Sequence, residues 1–251
     1  MSTPRVSLIT PTFGRHKFLP LAAKFVSHQS VSDIEWLVLD DSPEPSEFMQ
    51  RLADPRIVYE HTAIRCTTGD KRNRLIDRAK GNIIALFDDD DFYGPNYLAR
   101  MLSALEENDA DIAKLFGFFA YHTLYRTFGF WDLNIKLGPH WVWSGASPGM
   151  MMLSEQNNQS LKDNHLGYGF SYVFRKKVWE KVNFPDMGGN SDAIFMIEAV
   201  RHFKLNGLYD LHRDSLHVLH GSNVSRCFPQ YLIPNFLVTA LFPEASELLA
   251  V

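Results

Sequence analysis

Four aspartates stand in a row at residues 88–91, directly after the apolar run Asn82-Ile83-Ile84-Ala85-Leu86-Phe87. Contiguous carboxylates repel one another, so holding them in place calls for a compensating charge. In an extended chain alternate side chains share a face, which groups Asp88 with Asp90 and sets Asp89 and Asp91 opposite. Oxygen donors of this kind suit a hard divalent cation, and such a cation can hold phosphates in turn. A solvated acidic turn would use the same residue types. The apolar run before the aspartates and Phe92-Tyr93-Gly94-Pro95 after them favour a rigidly placed functional site.

The elements needed to position that cluster are legible on either side of it. Arg5–Thr10 is a short β-branched run that ends at Pro11, and residues 16–29 form a helical pattern with Phe18, Leu21, Ala22, Phe25 and Val26 apolar. Ile34–Leu39 is a near-continuous apolar strand, as expected when both faces of a sheet are covered, and it ends at Asp40-Asp41-Ser42-Pro43. Ile57–Tyr59 is a third strand, Gly69–Lys80 a polar-faced helix, 82–87 a fourth strand, and about Asn96 to Glu107 a further helix. This alternation predicts an α/β fold with a mostly parallel central sheet and helices on both faces. Ligands in such sheets bind beyond the carboxyl ends of the strands. Thr10-Pro11-Thr12-Phe13, Asp40-Asp41 and the acidic run therefore converge on one crevice.

After residue 110 the pattern changes. Residues 115–145 are aromatic-rich, Gly167–Phe174 is predicted as a strand and Arg175–Val182 as a helix. Ser191–Leu205 is predicted as a helix capped by Ser191 or Asn190, and Leu216–Leu219 as a late strand leading into His220-Gly221. With no repeat or linker, residues 1–251 are expected to form a single domain, with a nucleotide-type half at 1–110 and an elaborated half at 111–251.

At 45% apolar residues the chain can bury a sizeable core, which argues against disorder. A net charge of −4 argues against nucleic acid as the main partner. Cys66 and Cys227 form no disulfide framework, so a reducing compartment is expected. The opening residues lack a secretory leader and no run is long enough to span a membrane. A cytoplasmic protein is expected, and the sequons at Asn158 and Asn223 then carry little weight. The apolar segment Tyr231 to Phe242, interrupted by Pro234, suits a packed terminal helix or a homo-oligomer contact more than a peripheral membrane contact.

Taken in order, these motifs resemble the family 2 glycosyltransferases, which have the GT-A fold. Val6-Ser7-Leu8-Ile9-Thr10-Pro11-Thr12-Phe13-Gly14-Arg15 is similar to that family's opening strand and loop, with Gly14 where the family usually has Asn. Val38-Leu39-Asp40-Asp41-Ser42 is similar to its second strand end. Lys71-Arg72-Asn73 followed by Ala79-Lys80-Gly81 resembles the helix before its metal motif. Phe87 through Pro95 with Tyr97-Leu98 resembles its Asp-x-Asp motif and the helix after it. Gly169-Phe170 to Trp179 and Phe184-Pro185 resemble its acceptor half.

The resemblance implies a metal-dependent, inverting transfer of a sugar from a nucleotide-diphosphate donor, a UDP-sugar foremost, to a glycan, lipid-linked or other hydroxyl acceptor, as in polysaccharide biosynthesis. The implied cofactor is manganese or magnesium. Pro11 and Phe13 would line the base pocket, with Arg15 and Asp89 also on the donor side. Asp41, an acceptor only when ionised, would take an N–H from the base, and Arg72 would lie near the diphosphate. Asp88 would bind the ribose and Asp90 the metal, with His220 beside it in preference to His217, and Arg226 a weaker diphosphate contact. Asp192 would be the base, while Ser191 replaces the first acid of the family's usual acidic pair. Plainer roles exist for each: a turn-forming Asp41, an exposed helical Arg72, a structural histidine, and a dipole-stabilised Asp192 at its helix start. The aromatic stretch is mostly core, and some of Trp131, Trp141 and Trp143, with Tyr168, would suit an acceptor platform, since sugar rings present apolar C–H faces to aromatic rings.

Two other functions compete. A nucleotidyltransferase would need a glycine-rich first loop, and Thr10 to Lys17 holds only Gly14. A non-catalytic nucleotide- or glycan-binding module is supported by Ser191 alone.

Overall fold

A computed structural model describes residues 3–144, 148–156, 163–221 and 225–250, so Asn158 and Asn223 lie outside the described residues. The strands are β1 (Val6–Thr12), β2 (Ile34–Asp40), β3 (Ile57–His61), β4 (Ile83–Leu86), β5 (Phe92–Tyr93), β6 (Ile112–His122), β7 (Thr127–Asp132), β8 (Gly138–Val142), β9 (Gly149–Leu153), β10 (Val173–Arg175), β11 (Leu205–Tyr209), β12 (Ser215–Leu219) and β13 (Tyr231–Ile233). The helices are α1 (Leu19–Ser27), α2 (Glu47–Arg51), α3 (Thr68–Arg78), α4 (Tyr97–Glu107), α5 (Lys176–Lys181), α6 (Ser191–Ala199) and α7 (Val238–Leu241).

Among the described residues one eleven-stranded sheet carries the order β13-β7-β6-β10-β4-β1-β2-β3, with β11 and β12 also pairing with β6. Strands β4, β1, β2 and β3 run parallel, and β10 is inserted antiparallel between β4 and β6. Strands β8 and β9 form a separate hairpin.

The parallel strands bury both faces. In β4, Ile83 and Ala85 join the core under α1 and α4, while Ile84 and Leu86 join the core under α3, α5 and α6. The same alternation separates Trp36 and Val38 from Leu37 and Leu39 in β2. Some polar residues inside pair with one another. Ser7 Oγ donates to Glu35 at 2.6 Å, and Trp36 Nε1 donates to Thr10 Oγ1 at 2.8 Å.

Several sequence expectations change in the second half. The stretch predicted as a strand over Gly167–Phe174 follows a 3₁₀ turn at Asn164–Leu166 and contains another at Gly169–Ser171, and only Val173–Arg175 is extended. The helix predicted over Ser191–Leu205 stops at Ala199, because Leu205 begins β11 opposite Ile112 of β6. The segment from Tyr231 is a short strand, a 3₁₀ turn and a single helical turn. Strand β5 and helix α2 carry too few residues for a clear periodicity. No helix among the described residues is long and apolar enough to cross a membrane.

Candidate active site

The acidic run leaves β4 as a turn at Asp89-Asp90, not as an extension of the strand. Strict alternation therefore fails. Carboxylate oxygens of Asp88, Asp90 and Asp91 lie within 4.8 Å of one another, so Asp91 joins the pair it was expected to oppose. Asp89 turns away and accepts a hydrogen bond from Thr12 Oγ1.

The turn is held by charges from two distant segments. Arg15 Nη1 lies 2.6 Å from Asp90 and 3.1 Å from Asp89. Strand β5 pairs antiparallel with the start of β12, whose later residues run parallel to β6. That double pairing delivers His217, whose Nδ1 lies 2.9 Å from both Asp91 oxygens, while Val218 N–H donates to Asp91 at 2.7 Å. His220, just past the end of β12, approaches Asp90 with Nε2 at 2.9 Å and stacks on Phe18. Both histidines thus reach the acidic turn, and His220 does so through Asp90.

The electrostatics follow from burial opposed by neighbours. Burial pushes the Asp88 carboxyl up to about 7, although Arg72 pulls the other way, and it lifts Asp89 to about 6. Burial also raises Asp91 against the pull of His217. Asp90 is held below the usual carboxylate range, because Arg15 and then His220 override its burial. His217 is held well above its ordinary value by Asp91, despite a burial penalty. Oxygen donors grouped this closely, Asp90 and Asp91 buried and Asp88 half-buried, fit a hard divalent cation.

At the end of β1, Phe13 is 41% exposed and Pro11 is half-buried. Asp41, after β2, is fully buried. Its carboxylate accepts from Lys71 Nζ at 2.6 Å, from Cys66 N–H at 2.8 Å and from Arg65. The Arg65 guanidinium also lies over the Phe13 ring, with its carbon 3.4 Å from the centroid. Sequence reading passed over Arg65, which sits in the irregular loop before α3.

Arg72 is buried on α3 rather than exposed. Its Nη1 donates to Ser191 Oγ at 3.1 Å, and its buried Nε has no partner among the described residues. Asp192, in the first turn of α6, accepts from Gly169 N–H at 2.8 Å. A methyl group on Gly169 would lie 2.9 Å from Asp192 Cβ and 3.2 Å from Arg72 Nη2, so the three groups crowd one point. Helix α3 approaches this region closely at its own start, where a Cβ on Gly69 would lie 1.9 Å from the Pro185 carbonyl oxygen.

Of the aromatic platform candidates, Trp131 and Trp143 are buried in the core. Tyr168 and Trp141 are half-buried, and the Tyr168 hydroxyl donates to the carbonyl of exposed Arg226. Cys66 and Cys227 are free thiols.

The comparisons agree on one fold. The model described as glycosyl transferase family 2 matches residues 7–182. The "GalNAc(5)-diNAcBac-PP-undecaprenol beta-1,3-glucosyltransferase" of Campylobacter jejuni is 32% identical over 115 residues, covering 43% of this chain and 37% of that protein. The "Uncharacterized glycosyltransferase EpsJ" of Bacillus subtilis is 24% identical over 207 residues, covering 79% of this chain and 56% of its own. The chain thus spans only part of the length of these relatives. Among solved structures, S. aureus TarS 1-349 in complex with UDP-GlcNAc superposes with a TM-score of 0.62 at 14% identity, covering 85% of this chain and 58% of that one. The mannosyltransferase PcManGT of Pyrobaculum calidifontis, in complex with GDP-Man and Mn2+, gives 0.60 at 14% identity, covering 87% and 57%.

Proposed function

Since the chain belongs to glycosyl transferase family 2, we propose that it transfers a sugar from a nucleoside-diphosphate donor, a UDP-sugar foremost, to a hydroxyl acceptor with inversion at the anomeric carbon. The observation that carries this reading is the convergence on Gly169. Arg72 and Asp192 meet there, and Arg72 acts electrostatically on Asp88 of the acidic turn. This proximity supports a cation clamp, a phosphate-binding guanidinium and a carboxylate base acting together near the carboxyl end of the parallel strands.

In this reading residues 1–110 hold the donor and 111–251 receive the acceptor. Phe13 offers a π face to the base, Pro11 borders it, and Asp41 accepts a base N–H. Asp90 and Asp91, with Asp88 beside them in addition to its expected ribose contact, would hold manganese or magnesium, which when bound neutralises charge on the departing diphosphate. Arg15 and His220 orient Asp90, Asp89 anchors Thr12 and Arg15, and His217 orients Asp91. Arg72, with its unpartnered Nε, faces the diphosphate oxygens.

Gly169 N–H fixes Asp192 Oδ2. The carboxylate removes the acceptor's hydroxyl proton as that oxygen bonds the anomeric carbon and the sugar–phosphate bond breaks. Arg72 donates to the Ser191 hydroxyl, at the position where the family's usual pattern has an acid.

The test is a panel of nucleotide sugars and lipid-linked or glycan acceptors, assayed with manganese or magnesium. Release of a nucleoside diphosphate matched by transferred sugar is expected. Pyrophosphate release from a nucleoside triphosphate would instead indicate nucleotidyl transfer. Nucleotide binding with no turnover across the panel would favour a binding module.

A further inference from the structure

We propose that Arg65 is a built-in occupant of the base pocket, which the donor's base must displace in order to bind. This rests on the reading of Phe13 and Asp41 as that pocket. Arg65 already makes both contacts a base would make there. Its guanidinium carbon lies over the face of Phe13, 3.4 Å from the ring centroid, and its Nη1 donates to Asp41. A base cannot stack on that face of Phe13 or reach the same carboxylate oxygen while Arg65 remains.

The geometry also lets Arg65 leave. Its side chain is 57% exposed and belongs to an irregular loop. Asp41 keeps two other donors when Arg65 goes, the Lys71 amine at 2.6 Å and the Cys66 N–H at 2.8 Å, so the pocket does not lose its buried charge compensation. A base with a ring N–H beside a carbonyl, such as uracil or guanine, recovers both the stacking and the hydrogen bond. A base whose ring nitrogen at that edge is only an acceptor recovers the stacking alone. Arg65 thereby raises the threshold for entry and sharpens the choice of base.

Self-occupancy reduces apparent affinity by the fraction of molecules with the pocket open. Calorimetric titration with UDP and with GDP is therefore expected to show Arg65→Ala binding the preferred nucleotide about tenfold more tightly than the wild type. Arg65→Lys keeps a charge for Asp41 without the flat stacking surface, and should fall between the two. The melting temperature of Arg65→Ala should stay close to the wild type, which separates this effect from a general change in stability. Unchanged or weaker binding in Arg65→Ala, with Phe13→Ala and Asp41→Asn both impaired, would refute the occupant role while keeping the pocket. If Phe13→Ala and Asp41→Asn bind like the wild type, the pocket itself is misplaced and the proposal falls with it.

Discussion

Asp192 Oδ2 accepts a hydrogen bond from the backbone N–H of Gly169 at 2.8 Å. A side chain in the first turn of α6 is thus fixed by a 3₁₀ turn some twenty residues earlier, the turn that leads into β10 beside β4. The candidate base is positioned from the sheet, not by its helix alone.

Asp192→Asn keeps the shape and an acceptor oxygen for Gly169 but removes the base. Turnover should fall by roughly 10²- to 10⁴-fold. Nucleotide affinity by calorimetry should stay within about twofold, since kcat-only losses mark groups used in the transition state. A parallel loss of affinity would count against the assignment.

Gly169→Ala would place a methyl group 2.9 Å from Asp192 Cβ and 3.1 Å from its Oδ2. Asp192 must shift to admit it, and Arg72 must give by a few tenths of an ångström. A displacement of about 1 Å in a positioned group costs about 10²-fold in rate, so a smaller shift should cost roughly tenfold. The expected result is a measurable fall in kcat with only a small change in melting temperature.

Asp90→Ala removes one carboxylate of the cluster and a partner that Arg15 and His220 share. Transfer should fall to background, and added manganese should no longer raise the melting temperature of the variant as it raises that of the wild type. Chelation of the wild type should mimic the loss of activity and be reversed by added metal. Full activity in chelator would remove the metal from the mechanism.

Lys114 on β6 is fully buried, and its amine donates to the His165 carbonyl at 2.7 Å and the Leu115 carbonyl at 2.9 Å. Burial lowers its pKa from 10.5 to about 7, against an attraction to Asp192. Between about 7 and 10.5 the unfolded chain holds a proton that the folded chain has released. Stability therefore rises with pH across that window, and the penalty for burying the amine is fully present below it. Lys114→Met should gain most over the wild type near pH 6, and its advantage should shrink towards pH 10. Losing the two hydrogen bonds adds a constant offset, so the informative readout is the slope of the melting-temperature difference against pH.

The donor side was readable because each piece is local. Apolar runs fix β1, β2 and β4, and polar residues at their ends mark the crevice. What resisted reading depends on long-range pairing. Asp91 belongs to the cluster because β5 pairs with β12, and two residues in β5 leave no periodic signal. Helix α6 stops early because Leu205 pairs with Ile112, although Val200, Phe203 and Leu205 continue an apolar pattern. Arg65 was missed because an irregular loop has no period, and its importance comes from two partners on other strand ends. A lysine flanked by apolar residues was the one sign in the sequence of an unusual Lys114.

The double pairing of β12 ties the acidic turn to the far half of the chain. Asp91 and His217 are 126 residues apart, and they meet because β12 pairs with both β5 and the distal half of β6. Closing a loop of that length costs little more than closing a shorter one, since the entropy grows only with the logarithm of length. A change that loosens β12 is therefore expected to loosen Asp91 as well, so the geometry of the acidic turn reports on the integrity of a distant strand.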